Sequence, residues 1–259
     1  MRILVFNTKG GCGKSLVARE IIAAPIAKEV VLVEIDVLNR TQQSYAEWFK
    51  EVVQLNDETT PDLIKLLNMN THVVIDVGAI HLANAIDTMT KYELFDDVDL
   101  VVIPLIPGRS EEENALKTYA IMSKSVNRIM FAFSKFNPQV ALEKQYKVFF
   151  DNLSDTQNVN TVLKNPEQAD CTQLVESSYI TVNDSDVFET AQHRKELVIN
   201  LAAEIDYKAK AKAALSNGEK ELYDVLMTQE LDKRKARILV ESCIMPAHKK
   251  IMLQGRSRE

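Results

Sequence analysis

Cysteine is scarce in this 259-residue sequence, which contains only Cys12, Cys171 and Cys243. Their number is odd and no two of them form a Cys-x-x-Cys pair, so neither a disulfide framework nor a zinc site is expected. Paired cysteines that could hold an iron–sulfur cluster are missing as well. We expect three reduced thiols.

Long apolar runs and flexible linkers are also missing. No stretch approaches the roughly 20 apolar residues of a membrane-spanning helix, and the first residues resemble a strand rather than a signal peptide. Seven glycines and seven prolines form no obvious linker, and no internal repeat is found. These absences predict a cytoplasmic protein with one sizeable domain and an appendage.

Basic charge is concentrated near the end of the sequence. Residues 233–258 contain eight Lys or Arg and one acidic residue, a net charge of +7, whereas residues 1–232 carry −12. Such a segment on an acidic body indicates a handle for a polyanion, either nucleic acid or a membrane surface. A solvated helix whose charges only maintain solubility is the alternative interpretation.

Short β-branched runs alternate with longer helical patterns, which is typical of a parallel sheet covered by helices on both faces. The predicted fold class is therefore α/β, with a doubly wound, mostly parallel sheet. Six strands are predicted, at Arg2–Asn7, Val30–Ile35, His72–Ile75, Leu100–Pro104, Arg128–Phe133 and Ser178–Val182.

Helical patterns fill the intervals between these strands and the end of the chain. The predicted helices are Lys14–Ala27, Thr41–Val53, Pro61–Leu67, Ala83–Tyr92, Glu111–Ser125 and Pro138–Asn152. After Ser185 the sequence is mostly helical to about Met245, where Pro246 should end or kink the run. We expect one α/β domain over residues 1–216 and a helical, basic C-terminal extension over residues 217–259.

A glycine-rich loop follows the first strand, with the sequence Lys9-Gly10-Gly11-Cys12-Gly13-Lys14-Ser15, and leads directly into a helix. Glycines at these positions let backbone amides surround a phosphate group. Lys14 would contact the β- and γ-phosphates, Ser15 would bind Mg²⁺, and the helix N-terminus would favour the negative charge. Cys12 occupies a variable position that any small side chain can fill. The loop predicts ATP and Mg²⁺ as ligands.

Lys9 stands where the common phosphate loop has a glycine, and this difference carries a family resemblance. The sequence resembles the ParA/MinD superfamily of deviant Walker A ATPases, which have the P-loop NTPase fold, and among them the ParA-type partition ATPases. The resemblance implies a homodimer with ATP between the subunits, in which Lys9 reaches the partner's nucleotide. It also implies slow ATP hydrolysis that a partner protein stimulates.

Two carboxylates at strand ends complete the predicted site. Asp36 follows the second strand, at the edge where doubly wound folds bind ligands. Its match to the second acid of the family's Asp-x-Asp pair implies that it orients the attacking water, although the first acid here is Glu34 and Val37-Leu38 replaces the usual Pro-Gln. Asp76 ends a second apolar strand and is the predicted Walker B ligand to Mg²⁺.

Two further positions are weaker candidates. Gly78 would let the backbone approach the γ-phosphate as a sensor. The segment containing Lys135 and Asn137 follows the fifth strand, where the resembled family contacts adenine, so Asn137 is a candidate for binding the base. Both assignments rest on position alone.

The resemblance implies two possible tasks. The first is plasmid or chromosome partitioning, in which the ATP-bound dimer binds DNA non-specifically through residues 233–258 and an adaptor protein binds a centromere-like site. The protein would then associate with the nucleoid. The alternative is a MinD-like membrane switch for positioning or conjugation, for which residues 249–253 offer one amphipathic turn between Pro246 and Gly255.

Overall fold

The computed structural model describes residues 1–36, 41–56, 62–154 and 179–255 of the chain. Some residues of the sequence predictions lie outside the described ranges: Val37, Leu38, Pro61, Cys171, Ser178, Arg256 and Arg258.

Seven parallel strands form one sheet, in the order β3-β2-β4-β1-β5-β6-β7. The strands are β1 (Arg2–Val5), β2 (Val31–Ile35), β3 (Glu51–Leu55), β4 (Val73–Val77), β5 (Leu100–Leu105), β6 (Ile129–Phe136) and β7 (Tyr179–Asn183). The six predicted strands are present, and β1 lies at the centre between β4 and β5. The predicted α/β fold with helices on both faces is confirmed.

Strand β3 corrects the prediction of a helix over Thr41–Val53. The structure has a single 3₁₀ turn at Gln43–Tyr45, and the chain then forms β3, which pairs with β2 from Val31↔Glu51 to Ile35↔Leu55. An edge strand is only half-buried, so its polar and apolar residues mix in a way that resembles a helical pattern. Pairing with β2 decides the structure of this segment.

The helices, numbered in chain order, lie on the two faces of the sheet. They are α1 (Lys14–Leu16), α2 (Asp62–Met69), α3 (Leu82–Lys91), α4 (Arg109–Met122), α5 (Leu142–Gln145), α6 (Lys147–Ser154), α7 (Asp186–Arg194), α8 (Val198–Leu201), α9 (Tyr207–Ser216), α10 (Lys220–Leu239) and α11 (Met245–Gly255). None of the described helices is long and apolar enough to cross a bilayer.

Each strand contributes side chains to two cores because successive residues point to opposite faces. Ile3 and Val5 of β1 pack with α1 and the C-terminal helices, whereas Leu4 and Phe6 pack on the face covered by α2, α3, α4 and α6. The first turn of α1 continues as a π-helix over Val17–Ala23 and a 3₁₀ turn over Ala24–Ile26. The sheet thus holds the start of α1 rigidly at the end of its central strand.

Pro246 does not end the C-terminal helical run. A π-helical turn, Val240–Ile244, joins α10 to α11, and Pro246 is the second residue of α11. In this turn the N–H of Met245 bonds to the carbonyl of Val240, five residues back. The shifted hydrogen-bond register explains why a residue without an N–H is accommodated here.

The second half of the predicted extension shares the core of the sheet. Its buried residues, all in the cluster that contains Ile3 and Val5, are Ala236, Leu239, Cys243, Ile244, Ala247 and Ile251. The division between residues 216 and 217 stays a prediction. The basic segment from residue 233 to 255 is nevertheless a packed helix and not a free tail.

Candidate functional site

Asn7 ties the glycine-rich loop to the neighbouring strand. Its side-chain amide donates to the carbonyl of Pro104 at 2.6 Å, and its Oδ1 accepts the N–H of Lys9 at 2.9 Å. Asn7 is completely buried, so both bonds are shielded from water. The loop therefore leaves β1 in a direction that β5 determines.

The glycines of the loop have the conformations that a phosphate cradle requires. Gly11 and Gly13 have φ angles of +76° and +86°, in the left-handed region that favours glycine. A Cβ placed on Gly10 or Gly11 would meet no other atom within 4 Å, so this side of the loop faces open space. A Cβ on Gly13 would lie 3.4 Å from Ser134 Oγ, which supports the loop from behind.

Lys14 folds back over its own loop. Its Nζ donates to the carbonyl of Lys9 at 2.7 Å, and the residue is only 8% exposed. The thiol of Cys12 is buried as well and donates to the same carbonyl at 3.3 Å. Burial raises the pKa of the Cys12 thiol, with the charge of Lys14 opposing the shift. Cys12 is thus a small internal contact of the loop.

Lys9 points away from the loop that it begins. Its Nζ lies 3.4 Å from Ser110 Oγ and 3.7 Å from Glu111 Oε1, both in the first turn of α4. The Lys9 side chain is 41% exposed, so the ion pair with Glu111 is a weak surface contact. The ammonium group of Lys9 can therefore be redirected at little cost.

Ser15 and Asp76 meet beside the loop. The Ser15 hydroxyl hydrogen-bonds to the Asp76 carboxylate, which is 3% exposed. Burial raises the pKa of Asp76, and the hydrogen bonds from Ser15 and Gln42 partly oppose that rise. A hydroxyl and a carboxylate are hard oxygen ligands of the kind that Mg²⁺ prefers, so these two residues fit the predicted metal.

Glu34, the first acid of the predicted pair, is a buried anchor. Its Oε1 accepts the Oγ1 hydroxyl of Thr41 at 2.7 Å and the N–H of Thr41 at 3.1 Å, and its Oε2 accepts the N–H of Gln42 at 3.3 Å. Glu34 stands directly opposite Asp76 in the pairing of β2 with β4. Burial raises the pKa of Glu34, and the nearby Asp76 charge adds to the rise.

Asp36 approaches Gly78 closely. A Cβ at position 78 would lie 2.6 Å from Asp36 Oδ2 and 2.8 Å from its Cγ. The N–H of Gly78 also donates to the carbonyl of Ile35 at 2.8 Å. A Cβ at position 78 would therefore require the Asp36 side chain or the backbone to shift, a constraint that sequence reasoning did not anticipate.

These groups surround one cavity of about 450 Å³, within the size range of small-molecule sites. Its lining contains most of the predicted site residues: Gly10, Gly11, Gly13, Lys14, Ser15, Asp36, Asp76 and Gly78. Open backbone at the glycines beside a lysine and two carboxylates suits a phosphate group with a divalent cation. The residues fit the ligands that the sequence predicted.

Asn137 is not part of this cavity lining. It is exposed, its Oδ1 accepts the N–H of Gln139 at 3.0 Å, and its backbone bonds to the side chain of Gln145. Lys135, two residues earlier, has a φ of +60°. The turn after β6 is thus stabilised by its own hydrogen bonds, and contact of Asn137 with a base stays a prediction.

Most of the described cations in the basic segment have acidic partners. Lys233 and Arg234 both pair with Glu230, Lys235 pairs with Asp186 at 2.6 Å, and Arg237 pairs with Glu204 at 3.2 Å. Lys249 is exposed, and Lys250 lies 4.6 Å from the centre of the Tyr179 ring. The positive field of this helix is therefore weaker than the sequence suggests.

Gln42 is the main site residue that sequence reasoning missed. It is completely buried and touches both Ser15 and Asp76, but it lies in a segment where no motif marks it. Gln42 comes after the end of β2 and bonds to the buried Glu34. This position indicates a site residue only once the pairing of β2 with β4 is known, because that pairing places Glu34 beside Asp76.

No family model matches the chain, and no curated protein matches it by sequence. Solved structures do resemble it. Apo McdA of Cyanothece is 10% identical, with 88% of this chain and 98% of that one covered and a TM-score of 0.49. The septum site-determining protein MinD of Pyrococcus horikoshii, complexed with Mg-ADP, is 15% identical, with coverage of 76% and 86% and a TM-score of 0.47.

A third similar structure is a protein assigned to plasmid partition from Borrelia burgdorferi, bound to AMPPNP. It is 15% identical, with 89% of this chain and 98% of that one covered and a TM-score of 0.46. Similarity at this level concerns the fold, and function has to come from the residues of the site. The parallel sheet flanked by helices is established by the pairing of this chain's own strands.

Proposed function

We propose that this chain is a dimerising switch ATPase, which binds ATP with Mg²⁺ and hydrolyses it slowly until a partner protein stimulates turnover. The observation that carries the proposal is the cavity in which an open glycine cradle meets Lys14, Ser15, Asp36 and Asp76. Each of these groups has a role in phosphoryl transfer to water, which depends on positioning and charge stabilisation.

The residues divide these roles between them. Lys14 exchanges its bond to the Lys9 carbonyl for the β- and γ-phosphates, and the cradle amides bind the β-phosphate. Ser15 and Asp76 would hold Mg²⁺, which would neutralise charge on the phosphates. Asp36, at the open end of β2, accepts a hydrogen bond from the attacking water and orients it.

Lys9 couples dimerisation to the nucleotide that is bound. Within the described part of the chain, its partly exposed ammonium group is held by surface contacts with Ser110 and Glu111. In the ATP-bound dimer Lys9 leaves these contacts and pairs with the partner subunit's nucleotide. Hydrolysis removes the γ-phosphate, so the dimer loses contacts and separates.

The task that we propose for the switch is DNA segregation for a plasmid or chromosome, with non-specific DNA binding in the ATP state. The C-terminal basic segment supplies the contact. Its exposed cations include Arg234, Lys235 and Lys249, and the sequence adds Arg256 and Arg258. An adaptor protein at a centromere-like site would stimulate hydrolysis.

The packing of α11 favours DNA over a membrane as the target. A membrane switch would have to insert the apolar residues of 249–253, but Ile251 among them is completely buried in the core. Removing Ile251 from the core would disrupt the packing of α11. DNA contact requires only the exposed cations.

The test uses the Asp36→Ala protein, which should bind ATP without hydrolysing it. Binding to non-specific duplex DNA and to anionic liposomes is measured with ATP or ADP across a salt series. The proposal predicts ATP-dependent DNA binding that falls steeply with salt. Liposome binding without DNA binding would establish the membrane switch, and a monomer in saturating ATP would overturn the dimer.

Charge reversal locates the DNA contact better than truncation, because several residues between 236 and 251, among them Ile244 and Ile251, belong to the core. Lys249, Arg256 and Arg258 are changed together to glutamate. The matched control changes three exposed lysines on the opposite face of the sheet to glutamate. They are Lys65 in α2, Lys117 in α4 and Lys124 just after α4. Only the first triple variant should lose DNA binding, and equal loss in both would show a general effect of charge.

A further inference from the structure

Gln42 lies between the two predicted metal ligands. Its Nε2 donates to Asp76 Oδ2 at 3.0 Å and to the backbone carbonyl of Ser15 at 3.2 Å. Its exposed fraction is 0%, so neither bond competes with water. One amide group therefore joins the end of β4 to the start of α1, and with it the two sides of the metal site.

The backbone of Gln42 is held as firmly as its side chain. Its N–H donates to Glu34 Oε2 at 3.3 Å, next to the two bonds that the same carboxylate accepts from Thr41. Glu34 is itself fixed in β2, opposite Asp76 in the sheet. The segment that begins at Thr41 is thus attached to the sheet immediately beside the metal site.

The carbonyl oxygen of the same amide can accept a further hydrogen bond. Gln42 Oε1 is buried and has no hydrogen-bond partner among the described residues. The amide orientation is unambiguous because both partners of Nε2 are acceptors. A buried acceptor without a partner is costly, so a donor that arrives beside Asp76 gains a ready partner. Waters that Mg²⁺ retains on binding are donors of that kind.

Beyond Gln42 the same segment reaches residues far from the site. The ring of Tyr45 lies 4.0 Å from the guanidinium carbon of Arg19 in the π-helix, and Trp48 Nε1 donates to the carbonyl of Lys195 at 3.1 Å. Trp48 is the chain's single tryptophan. A change at Gln42 is therefore connected through a few residues to a natural fluorophore.

We propose that Gln42 is a positioning residue of the metal site, which holds Asp76 against Ser15 and accepts a hydrogen bond from metal-bound water. The inference rests on the proposed nucleotide function, which it deepens. Gln42 thereby reports occupation of the metal site to residues 41–49, and the emission of Trp48 changes when the metal binds. Residues that orient metal ligands typically contribute about 10- to 100-fold to metal affinity.

The experiment measures binding and not turnover. A fluorescent ADP analogue is titrated into the full-length wild type, Gln42→Met and Gln42→Ala, first with EDTA and then with increasing Mg²⁺. The matched control is Gln43→Met, since Gln43 is the exposed neighbour of the same residue type. Methionine keeps the length of glutamine without its hydrogen bonds, and circular dichroism establishes that each variant is folded.

The expected result has two parts. Affinity for the ADP analogue in EDTA is the same in all four proteins, because the glycine cradle is unchanged. Mg²⁺ should increase the affinity for the ADP analogue, and the Mg²⁺ concentration that gives half of this increase rises about tenfold or more in Gln42→Met but not in Gln43→Met. The Mg²⁺-dependent change in Trp48 emission at saturating ADP is lost in Gln42→Met and retained in Gln43→Met.

Two other results would contradict the inference in different ways. If the wild type does not bind the nucleotide analogue, both the proposed function and the role of Gln42 are wrong. If the wild type binds it and the Mg²⁺ dependence and Trp48 response of Gln42→Met equal those of Gln43→Met, only the role of Gln42 is wrong. Gln42→Ala decides between these results if Gln42→Met does not fold.

Discussion

The carboxyl group of Asp36 occupies the space that a Cβ of residue 78 would need, with only 2.6 Å between Asp36 Oδ2 and that position. Contacts below 3.0 Å require the backbone or the carboxylate to move. Any side chain at position 78 would therefore displace Asp36 or the backbone beside it, so the residues that follow β2 and β4 are in close contact.

Gly78→Ala should displace Asp36 and reduce ATP hydrolysis about 100-fold, because an ångström of misplacement in a catalytic group can cost that much. Affinity for ADP should remain unchanged, since the glycine cradle lies elsewhere in the cavity. Steady-state ATPase assays and ADP titrations measure the two effects. In the Asp36→Ala background the same substitution should have no further effect on the rate. An additional loss there would mean that Gly78 acts independently of Asp36.

Lys9→Ala and Lys14→Ala should affect different steps, dimerisation in the first case and nucleotide binding in the second. Lys14→Ala should abolish nucleotide binding, because it removes the cation that contacts the phosphates. Lys9→Ala should leave ADP binding intact and abolish the ATP-dependent dimer. Both are measured in the Asp36→Ala background by light scattering and nucleotide titration. A stable dimer of the Lys9→Ala protein in ATP would exclude a contribution of Lys9 across the interface.

Cys12 should react slowly with iodoacetamide at neutral pH. The thiol is 1% exposed and burial raises its pKa, so the reactive thiolate is a smaller fraction than for an ordinary cysteine. Mass spectrometry of a Cys171→Ser protein follows Cys12 and Cys243 separately. Saturating ADP should slow the labelling of Cys12 and leave Cys243, in the C-terminal π-helical turn, unchanged. Labelling of Cys12 as fast as that of a free thiol would contradict the burial.

His248 should make folding stability depend on pH in the mildly acidic range. Burial lowers its pKa, so the unfolded chain binds a proton that the folded chain does not. The free energy of unfolding therefore has its full value above the ordinary histidine pKa of about 6.5. It decreases as the pH falls through the lower pKa of His248 in the folded state. Urea unfolding across this range should give a smaller pH dependence for His248→Gln than for the wild type. The control, His193→Gln, changes an exposed residue and should behave as the wild type.

Glu20 should be one of the most sensitive positions outside the cavity. It is 1% exposed, pairs with Arg19 at 2.8 Å and accepts the N–H of Val198 at 3.0 Å. Glu20→Ala leaves a buried guanidinium uncompensated, which should cost about 3–5 kcal/mol of unfolding free energy. The contact of the exposed Glu29 with the half-buried His72 offers the contrast, and Glu29→Ala should cost about 0–1 kcal/mol. Equal losses in urea unfolding would contradict the difference in burial.

Sequence reasoning succeeded where a local pattern is sufficient. The positions of six strands along the chain, the loop from Lys9 to Ser15 and the carboxylates at the ends of β2 and β4 could all be predicted. Buried strands are apolar almost throughout, and a phosphate cradle requires glycines at fixed intervals whatever surrounds them. Such features depend on a few neighbouring residues.

Sequence reasoning failed where distant segments decide the result. Strand β3 forms because β2 offers an edge, and Pro246 is accommodated because the π-helical turn shifts the hydrogen-bond register. Four cations of the predicted basic handle face Glu230, Asp186 or Glu204, two of which lie in other segments of the chain. A count of charges along the sequence cannot reveal such pairing.

The sequence by itself determined that the chain is an α/β protein with a glycine-rich loop and two strand-end carboxylates, because backbone conformation and strand burial are encoded locally. Only the tertiary structure decided how that site is held together. Gln42 between Ser15 and Asp76, Gly78 against Asp36, and Glu34 beneath Thr41 join residues from different strands and loops. Contacts of this kind arise from the alignment of β2 with β4, which no single segment specifies.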